Sequence, residues 1–310
     1  MNLNKEFRSE IPSTKVDHPA LNDAGVTLFI NRLDLTHPFL SGNKYYKLKY
    51  NLSEAEKQGH DSLLTFGGAY SNHIYATAAA GKIFNFKTVG VIRGEEHKPL
   101  NPTLSFANKC GMKFYYLNRK TYRSKTNPIV IELLEDKFGK FYLIPEGGSN
   151  ALAVKGCTEI VNSIEVNFDH VCCAVGTGGT LAGLAAGLAG NKKALGFSIL
   201  RGASFLNENV SSLLQSYSKK EITNWQINFD YHFGGYAKFN IELINFIEEF
   251  ERQSKIPIEP IYTGKMLYGI FDLVKKGSFT SGETIIAIHT GGLQGLAGLR
   301  DNISQLKNEI

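Results

Sequence analysis

HVCCAVGTGGTLAGLAAGLAG, at residues 170–190, is the stretch of sequence that decides the fold. Its apolar run at 170–175 stops at a glycine-rich loop, 176–180, and a stretch of Ala, Leu and Gly residues follows. That order is typical of a buried strand, a tight loop and a covering helix, and we predict the helix from Leu181 to Gly190. The stretch therefore predicts one strand, loop and helix unit of an α/β fold.

The same order of apolar run, glycine loop and helical stretch recurs in three other places, at residues 62–84, 140–164 and 284–303. Two further apolar runs, at 87–93 and 194–200, add strands between these units. Strands that alternate with helices form parallel sheets covered by helices on both faces, and ligands bind at the carboxyl ends of such strands. We therefore predict an α/β fold whose site lies on the loops that follow the strands.

The composition is that of a globular protein without a nucleic-acid partner. Its 310 residues are 43% apolar and 20% charged, which excludes the disordered, fibrous and membrane-spanning classes. The 34 basic and 29 acidic residues give a net charge of +5, and the basic residues are scattered along the chain. The densest basic stretch, residues 44–49, is interleaved with aromatic residues, as in an RNA-binding patch or an anion-binding helix end. No RNA-binding motif accompanies it, so we expect no nucleic acid.

The cysteines and the N-terminal sequence predict a cytoplasmic location. Four cysteines form no CxxC pair and have no spacing that suits a zinc site or a disulfide framework, so we expect reduced thiols and no metal. Residues 1–16 contain no apolar core of signal-peptide length. No stretch reaches the roughly 18 to 20 uninterrupted apolar residues of a membrane span. We expect neither export nor insertion into a membrane.

The loop Gly176–Thr180 carries the strongest indication of a ligand. At the start of a helix, such a loop exposes several backbone N–H groups where the helix dipole favours an anion, and its threonine hydroxyls add donors. A phosphate is the expected ligand, with glycines that serve only a tight turn as the alternative. Leu181 stands where a dinucleotide-binding GxGxxG needs its last glycine, and no P-loop lysine follows. The pattern therefore favours a monophosphate such as pyridoxal phosphate.

A second loop, Gly67–His73, offers side-chain groups in addition to its backbone. Its hydroxyl and amide groups suit a carboxylate or a ring oxygen, and Ser71 or Asn72 would also suit the N-cap of the helix that follows. Tyr236 and Tyr262 are each set among Gly and Pro residues in apolar surroundings. That setting is typical of residues that point into a cleft from a loop, with burial in the core as the alternative.

Lys44 and Lys47 are candidates for the lysine that binds a carbonyl cofactor. They are three residues apart and would share one face of a helix that begins near residue 44, so one could hold the carbonyl and the other the phosphate. The pattern alone does not separate the two, and a solvated surface charge is the alternative for either. His289, where a predicted strand enters its loop, is expected to be a packed, hydrogen-bonded histidine rather than a catalyst.

Five blocks, in their order and spacing, resemble the family of 1-aminocyclopropane-1-carboxylate deaminases and D-cysteine desulfhydrases. The blocks are SGNKYYKLKYNL, FGGAYSNH, GTGGT, EPIYTGK and IHTGG, and the resemblance runs from about residue 28 to residue 300. It implies a fold-type II pyridoxal phosphate enzyme, similar to the tryptophan synthase β subunit, with two parallel-sheet, three-layer domains. Residues 1–54 and 156–310 would form the large cofactor-binding domain and 55–155 the small one, with the site in the cleft between them. A small amino-acid substrate and a homodimer are also implied.

The resemblance further implies a role for each matching residue. Lys44 would form the Schiff base with pyridoxal phosphate, Lys47 would contact its phosphate, and Asn72 would bind its ring hydroxyl. The phosphate cradle and the two tyrosines that face substrate and cofactor would be Thr177, Gly178, Gly179, Thr180, Tyr236 and Tyr262. The residues implied at the substrate are Ser71, which is also expected to be catalytic, Asn72, His73 and Thr290.

Two positions distinguish the activities within this family. Thr263 would face the pyridine nitrogen, where the ring-opening deaminases generally carry a glutamate. A carboxylate keeps that nitrogen protonated and makes the ring a strong electron sink, whereas a neutral hydroxyl leaves it unprotonated. Thr290 stands where the deaminases tend to have leucine and the desulfhydrases a hydroxyl residue. Both positions favour elimination over the opening of a cyclopropane ring.

The predicted reaction is therefore β-elimination from a small D-amino acid, with D-cysteine giving pyruvate, ammonia and sulfide. Lys44 or a neighbouring tyrosine would be the base. The alternatives are the ring-opening deaminase, a β-replacement synthase of the same fold, and a small-ligand-binding protein that keeps the phosphate loop without catalysis.

Overall fold

Among the residues that the structure describes, the strands form two separate sheets, one of six strands and one of four. They are seen in a computed structural model that describes residues 7, 10–188 and 192–308. Residues 189 and 190, at the end of the helix predicted after the glycine loop, lie outside the described residues. So do most of residues 1–9 of the predicted large domain.

The strands of the described residues are short, as is usual for α/β proteins. They are β1 Ser13–Val16, β2 Thr27–Asn31, β3 Ser62–Gly67, β4 Lys87–Arg93, β5 Lys113–Leu117, β6 Tyr142–Ile144, β7 His170–Val175, β8 Lys193–Ser198, β9 Trp225–Asn228 and β10 Thr284–Ile288. The runs predicted at 87–93 and 170–175 match β4 and β7 residue for residue.

Helices connect most of these strands. They are α1 Pro19–Ala24, α2 Asn43–Lys57, α3 Asn72–Phe84, α4 Pro102–Lys109, α5 Arg119–Arg123, α6 Pro128–Phe138, α7 Ala151–Asn162, α8 Gly179–Gly187, α9 Phe205–Tyr217, α10 Ile241–Ser254, α11 Thr263–Lys275 and α12 Arg300–Asn308. Short 3-10 helices lie at Leu33–Leu35, Glu146–Gly148 and Leu293–Gly298. No helix in the described ranges combines the length and the apolar character needed to cross a membrane.

The six-stranded sheet has the order β1-β2-β10-β7-β8-β9, and all neighbours except β1 and β2 are parallel. Its central strands are apolar along their length because both faces of the sheet are covered. Along β10, Ile286 and Ile288 pack into the apolar core that contains α2, α7 and α8. Ile285 and Ala287 pack into a second core that contains α10 and α11. The prediction of a parallel sheet covered on both faces is confirmed.

The four-stranded sheet has the order β5-β4-β3-β6, and each neighbouring pair is parallel. All six residues of β3 are buried, because α3 and α4 cover one face of the sheet and α5 and α6 the other. The predicted α/β class with two parallel sheets is thus confirmed. The predicted domain boundaries, between residues 54 and 55 and between 155 and 156, fall within α2 and α7 and remain a prediction.

Several local features differ from the sequence prediction. The sequence does not predict β1, β5 and β9, which lie at sheet edges and therefore carry polar residues between the apolar ones, nor does it predict β2. The helix predicted from Leu181 begins two residues earlier, at Gly179. The helix predicted over residues 296–303 is instead a 3-10 segment that ends at Gly298, followed by α12, because glycines weaken an α-helix.

Candidate active site

Loops at the carboxyl ends of both sheets surround one cavity of about 810 Å³. All residues predicted for the site except Thr263 line it: Lys44, Lys47, Ser71, Asn72, His73, Thr177, Gly178, Gly179, Thr180, Tyr236, Tyr262 and Thr290. In the described part of the chain, no group of three or more His, Cys, Asp or Glu side chains is placed to hold a metal ion. The cavity brings together residues that are far apart in the sequence, such as Lys44 and Thr290, which are separated by more than 200 positions.

Three side chains converge beside the N-terminus of α8. Lys47 Nζ donates to Ser149 Oγ at 2.8 Å and to Thr177 Oγ1 at 3.3 Å, and these two hydroxyl oxygens lie 2.6 Å apart. Burial lowers the pKa of Lys47 to about 8, because the ammonium group is removed from water. The first N–H groups of the helix have no partner within it and add donors at the same place. These groups form the anion-binding end of the cavity.

Glycine is required at two positions of this end. Gly178, the N-cap of α8, has a φ of 86°, in the left-handed region that other residues rarely adopt. A Cβ on Gly179 would lie 2.7 Å from Ser149 Oγ and 3.0 Å from Lys47 Cε. Gly178 therefore allows the chain to turn into the helix, and Gly179 keeps open the space between the helix and Lys47.

Lys44 lies one helical turn before Lys47, at the start of α2. Its Nζ donates to Asn43 Oδ1 at 2.8 Å, and Asn43 Nδ2 donates to Thr180 Oγ1 at 2.7 Å. Burial, assisted by the positive charge of Lys47, lowers the pKa of Lys44 to about 7. Lys47 is thus bonded to the anion-binding hydroxyls, whereas Lys44 offers an amine that is partly neutral near pH 7. The geometry separates two lysines that the sequence pattern leaves equivalent.

Ser71 caps α3 and lines the cavity at the same time. Its Oγ accepts from the backbone N–H groups of His73 at 3.2 Å and Ile74 at 3.3 Å, so its own O–H can donate to a ligand. Asn72 Oδ1 accepts from Gln294 Nε2 at 2.9 Å, which makes Asn72 Nδ2 the donor available to a ligand. The two interpretations of this loop, helix capping and ligand binding, are compatible.

His73 is a buried histidine with a defined tautomer. Thr65 Oγ1 donates to the carbonyl of Ile144 at 2.8 Å, so it must accept from His73 Nε2, which also lies at 2.8 Å. Burial and the charges of Lys44 and Lys47 hold the pKa of His73 well below its usual range. Its Nδ1 is buried and has no hydrogen-bond partner in the described part of the chain. His73 is therefore neutral and offers an acceptor to a bound ligand.

Tyr236 and Tyr262 lie together on another wall of the cavity. Their ring centroids are 6.3 Å apart, and a hydrogen bond joins their side chains. Burial raises the pKa of both tyrosines. The loop that carries Tyr236 is held by Lys265, whose Nζ donates to the carbonyls of His232 at 2.8 Å and Gly235 at 2.7 Å. Lys265, buried on α11, is thus a positioning residue for Tyr236.

Thr263, predicted to face a ring nitrogen, does not line the cavity. It is fully buried as the first residue of α11, directly after Tyr262. Its N–H donates to Glu259 Oε1 at 2.7 Å, and the Glu259 carboxylate also accepts from the N–H groups of Ile261 and Tyr262. Thr263 Oγ1 is buried and has no hydrogen-bond partner among the residues described. The contact of Thr263 with a cofactor therefore stays a prediction, although its hydroxyl is able to donate.

Thr290 follows β10 and packs against the segment that leads into α2. A Cβ on Gly42 would lie 2.0 Å from the carbonyl oxygen of Thr290, so only glycine allows this close approach. His289 is fully buried; its Nε2 donates to the carbonyl of Pro257 at 2.7 Å, and its Nδ1 accepts from the N–H of Gly291 at 3.2 Å. It is a packed histidine, as expected, and it fixes the loop that carries Thr290.

The chain matches a family model described as "Pyridoxal-phosphate dependent enzyme" over residues 8–291. It belongs to this family. A protein of Pyrococcus furiosus named "Putative 1-aminocyclopropane-1-carboxylate deaminase" is 34% identical over 293 residues, which cover 90% of this chain and 88% of that protein. A "D-cysteine desulfhydrase" of Klebsiella pneumoniae is 30% identical over 300 residues, which cover 90% of each chain.

A solved structure supports the same relationship. The crystal structure of an "ACC deaminase homologue" superposes with a TM-score of 0.87 at 30% identity, covering 97% of this chain and 95% of the other. The predicted fold-type II architecture and the pyridoxal phosphate cofactor are confirmed. The chain is a pyridoxal-phosphate-dependent enzyme of the 1-aminocyclopropane-1-carboxylate deaminase and D-cysteine desulfhydrase family. The names of its relatives include both activities, so similarity does not select between them.

The residues of the cavity fit pyridoxal phosphate. The anion-binding end offers Lys47, two hydroxyls and a helix N-terminus to a phosphate. His73 lines the cavity, and its buried Nδ1 lacks a hydrogen-bond partner within the described ranges. A buried polar atom without a partner costs about 1–3 kcal/mol. A bound cofactor with an attached amino acid would supply a donor to this nitrogen. Lys44 would supply the amine for the carbonyl of the cofactor.

Sequence reasoning misses four residues that line or organise the cavity. Asn43 and Ser149 link the lysines to the phosphate loop. Asn43 stands directly before the predicted Lys44, and Ser149 lies in the loop that follows the strand predicted from residue 140. Arg93 ends β4 and Glu146 follows β6, and both line the cavity. The rule that ligands bind at the carboxyl ends of parallel strands was the available indication for both.

We expect Lys265→Met to lower kcat/KM for the amino-acid substrate about tenfold, because Tyr236 loses its fixed position. The free energy of unfolding should fall by about 1–3 kcal/mol, since the carbonyls of His232 and Gly235 lose their donor. Steady-state kinetics and denaturant unfolding measure the two effects. Lys265→Arg keeps the charge and the donors and should recover part of kcat/KM. Lys49→Met, which breaks an ion pair with Glu159 outside the cavity, should leave kcat/KM unchanged. Unchanged kcat/KM in folded Lys265→Met would contradict the positioning role.

Proposed function

We propose that this enzyme catalyses β-elimination from a small D-amino acid, with D-cysteine converted to pyruvate, ammonia and sulfide. The observation that carries the proposal is the absence of an available carboxylate at the start of α11, within the described part of the chain. Thr263 stands where the ring-opening deaminases generally carry a glutamate, and the Glu259 carboxylate is committed to three backbone N–H groups. With no carboxylate to keep it protonated, the ring nitrogen of the cofactor makes a weaker electron sink.

A weaker electron sink favours a substrate with a good leaving group. In β-elimination the bond from Cβ to sulfur breaks as the Cα proton departs, so less negative charge has to be stabilised at Cα. D-Cysteine carries such a leaving group, whereas a cyclopropane ring does not. The hydroxyl of Thr290, which lines the cavity, agrees with the desulfhydrase pattern at that position.

The roles of the binding residues follow from their donors. Lys47, Ser149 and the loop 177–180 would hold the phosphate at the anion-binding end. Asn72 Nδ2 would donate to the ring hydroxyl oxygen, and the hydroxyl of Thr263 to the ring nitrogen. Bound pyridoxal phosphate supplies the conjugated ring that stabilises negative charge at the substrate Cα.

Lys44 is the residue best suited to accept the Cα proton. Its pKa of about 7 leaves a substantial neutral fraction near pH 7. Burial raises the pKa of Tyr262 well above its usual value, so this tyrosine stays protonated and would not be the base. The O–H of Ser71 would bind the substrate carboxylate, and His73 Nδ1 would accept from a substrate donor. Tyr236 would close the cavity on the side of Tyr262 and exclude water.

Assays of the purified enzyme on D-cysteine, L-cysteine and 1-aminocyclopropane-1-carboxylate test this proposal. Pyruvate and 2-oxobutyrate report the two reactions, and we expect kcat/KM for D-cysteine to exceed that for the cyclopropane substrate at least about tenfold. A preference for the cyclopropane substrate would replace the proposal with ring opening. Incorporation of an added nucleophile in place of sulfide would indicate a β-replacement synthase. A protein that binds D-cysteine without turnover would be a ligand-binding protein.

The double variant Thr263→Glu, Thr290→Leu is the companion experiment. It should lower kcat/KM for D-cysteine and raise that for the cyclopropane substrate, because a carboxylate at position 263 would keep the ring nitrogen protonated. Cofactor content and the free energy of unfolding identify a variant whose cavity has been disturbed by the buried charge. Thr290→Leu alone, which adds no charge, serves as its control. A double variant that is folded, loaded with cofactor and still prefers D-cysteine would contradict the electronic argument.

We also propose a homodimer and a cytoplasmic location. The homodimer rests on the family resemblance, and the location rests on the four cysteines, whose spacing suits no disulfide framework. Light scattering of the purified enzyme tests the first, and fractionation of cells that express the tagged chain tests the second.

A further inference from the structure

The charges that line the cavity do not balance. Four side chains are Lys or Arg and one is a carboxylate, Glu146; the cations are Lys44, Lys47, Arg93 and Lys125. Lys125 Nζ pairs with Glu146 Oε2 at 3.1 Å. In the proposed function, the carbonyl of the cofactor engages Lys44 and the phosphate engages Lys47. Arg93 is left, and within the part of the chain that the structure describes it makes no hydrogen bond or ion pair.

The position of Arg93 is fixed by its strand. It is the last residue of β4, and the preceding Ile92 pairs with Gly67, so Arg93 lies beside the loop that leads to Ser71. Arg93 Nη2 would lie 3.6 Å from a Cβ on Gly68, which itself lines the cavity. The guanidinium is therefore next to the loop proposed to hold the substrate carboxylate.

Two tyrosines define the surroundings of the guanidinium. Arg93 Cζ lies 5.8 Å from the ring centroid of Tyr122, whose hydroxyl donates to Glu146 Oε1 at 2.9 Å. Burial raises the pKa of Tyr236, and the positive charge of Arg93 opposes that rise. Arg93 and Tyr236 are therefore close enough across the cavity to interact electrostatically. A ligand bound between Ser71 and Tyr236 would thus have the guanidinium beside it. The Tyr122 ring orients the guanidinium without occupying its N–H donors.

We propose that Arg93 recognises a second anionic group on the substrate, so that the enzyme prefers a D-amino acid whose β-carbon carries an anionic leaving group, a sulfonate or a phosphate ester. The proposal rests on the proposed function and names its substrate class. The planar guanidinium binds such oxyanions through two parallel hydrogen bonds. The single sulfur atom of D-cysteine cannot accept two such bonds side by side.

The same elimination accounts for a substrate of this class. With D-cysteate, the Cα–H and Cβ–S bonds break, the proton passes to the base, and the electron pair of the Cβ–S bond leaves with sulfite. The remaining enamine takes up one water and yields pyruvate and ammonium. No oxidant or reductant is consumed. Arg93 would neutralise part of the charge that leaves with the sulfite.

The ligand pair D-aspartate and D-asparagine tests the proposal without turnover. The two are nearly isosteric, differ by one charge at the β-carbon substituent and lack a good leaving group. Titrations of the holoenzyme, followed by cofactor absorbance, should show D-aspartate binding about tenfold more tightly than D-asparagine. Arg93→Gln should remove this ratio by weakening D-aspartate alone. Arg93→Lys, which keeps the charge, should retain part of it. Lys113→Gln, a charge removed at the start of the neighbouring strand β5, should leave the ratio unchanged.

Other outcomes of the titration overturn the proposal. If Arg93→Gln weakens both ligands equally, Arg93 binds the α-carboxylate that they share. If the wild-type enzyme does not prefer D-aspartate, the guanidinium recognises no second anion. The result is independent of the proposed reaction, because binding is measured with ligands that are not eliminated. A preference for D-aspartate without elimination of D-cysteine would therefore reject the reaction alone.

Kinetics then connect the binding preference with substrate choice. Pyruvate and sulfite are measured with D-cysteate, and pyruvate and sulfide with D-cysteine. Arg93→Gln should lower kcat/KM for D-cysteate about tenfold or more and that for D-cysteine less than about threefold. Equal losses on both substrates would overturn the assignment of Arg93 to the second anion.

Discussion

Lys44→Ala should lower kcat for the amino-acid substrate on the order of a thousandfold or more, while the variant still binds pyridoxal phosphate without a covalent bond. The loss is large because the amine of Lys44 is the group proposed both to bind the cofactor carbonyl and to accept the Cα proton. Binding survives because the anion-binding end, with Lys47, Ser149 and Thr177, is intact. Steady-state kinetics and a cofactor titration measure the two effects separately.

Lys47→Ala is the matched control, since it removes a lysine of the same helix face. It should weaken cofactor affinity rather than abolish the covalent bond, because Lys47 Nζ is bonded to the hydroxyls of the anion-binding end and Lys44 Nζ to Asn43. Borohydride reduction of the wild-type holoenzyme, followed by peptide mapping, should find the pyridoxyl group on Lys44. An adduct on Lys47, or wild-type kcat in Lys44→Ala, would remove the assignment.

The lowered pKa of Lys44 makes covalent uptake of the cofactor depend on pH. At a pKa of about 7 roughly half of the Lys44 amines of the cofactor-free enzyme are neutral at pH 7. Only the neutral amine attacks a carbonyl, so covalent uptake of the cofactor should become faster as the pH rises through about 7.

The sequence is most informative where a pattern and a conformational requirement coincide. The apolar run of β7 and the glycines that follow it predict a buried parallel strand and a phosphate loop, because few other structures tolerate that combination. Lys44 and Lys47 illustrate the limit of this reasoning. Their spacing places both on one helix face, and only the hydrogen bonds to Asn43 and Ser149 distinguish them.

Residues that act through long-range contacts are the ones that the sequence does not reveal. Lys265 bonds carbonyls some 30 residues earlier in the chain, and Arg93 reaches the cavity because β4 pairs with β3. Neither contact has a local periodicity or spacing. Thr263 shows the opposite case, since its motif predicts a contact with the cofactor while its buried side chain lies outside the residues that line the cavity. That contact stays a prediction.

Gly178→Val should weaken binding of pyridoxal phosphate on the order of 100-fold, the second largest effect that we expect. At a φ of 86°, a side chain imposes strain at the N-cap of α8, and a Cβ there would lie 2.8 Å from Val210 Cγ2. The loop must therefore shift and withdraw N–H groups from the phosphate. A 100-fold loss corresponds to about 2.8 kcal/mol, which is within the roughly 1.5–3 kcal/mol that one hydrogen bond to a charged group contributes. Equilibrium titration of the cofactor-free protein measures it.

Gly59→Val separates the loss of the cradle from the strain of the substitution. Gly59 has a φ of 74° in the same left-handed region, yet a Cβ there would meet nothing within 4 Å. Both variants should therefore lose free energy of unfolding, by at least the roughly 1–2 kcal/mol that the left-handed conformation costs. Only Gly178→Val should lose cofactor affinity, because only that glycine directs backbone N–H groups at the anion-binding end. Wild-type affinity in folded Gly178→Val would show that this loop does not hold the phosphate, and equal losses in both variants would show that the effect comes from general destabilisation.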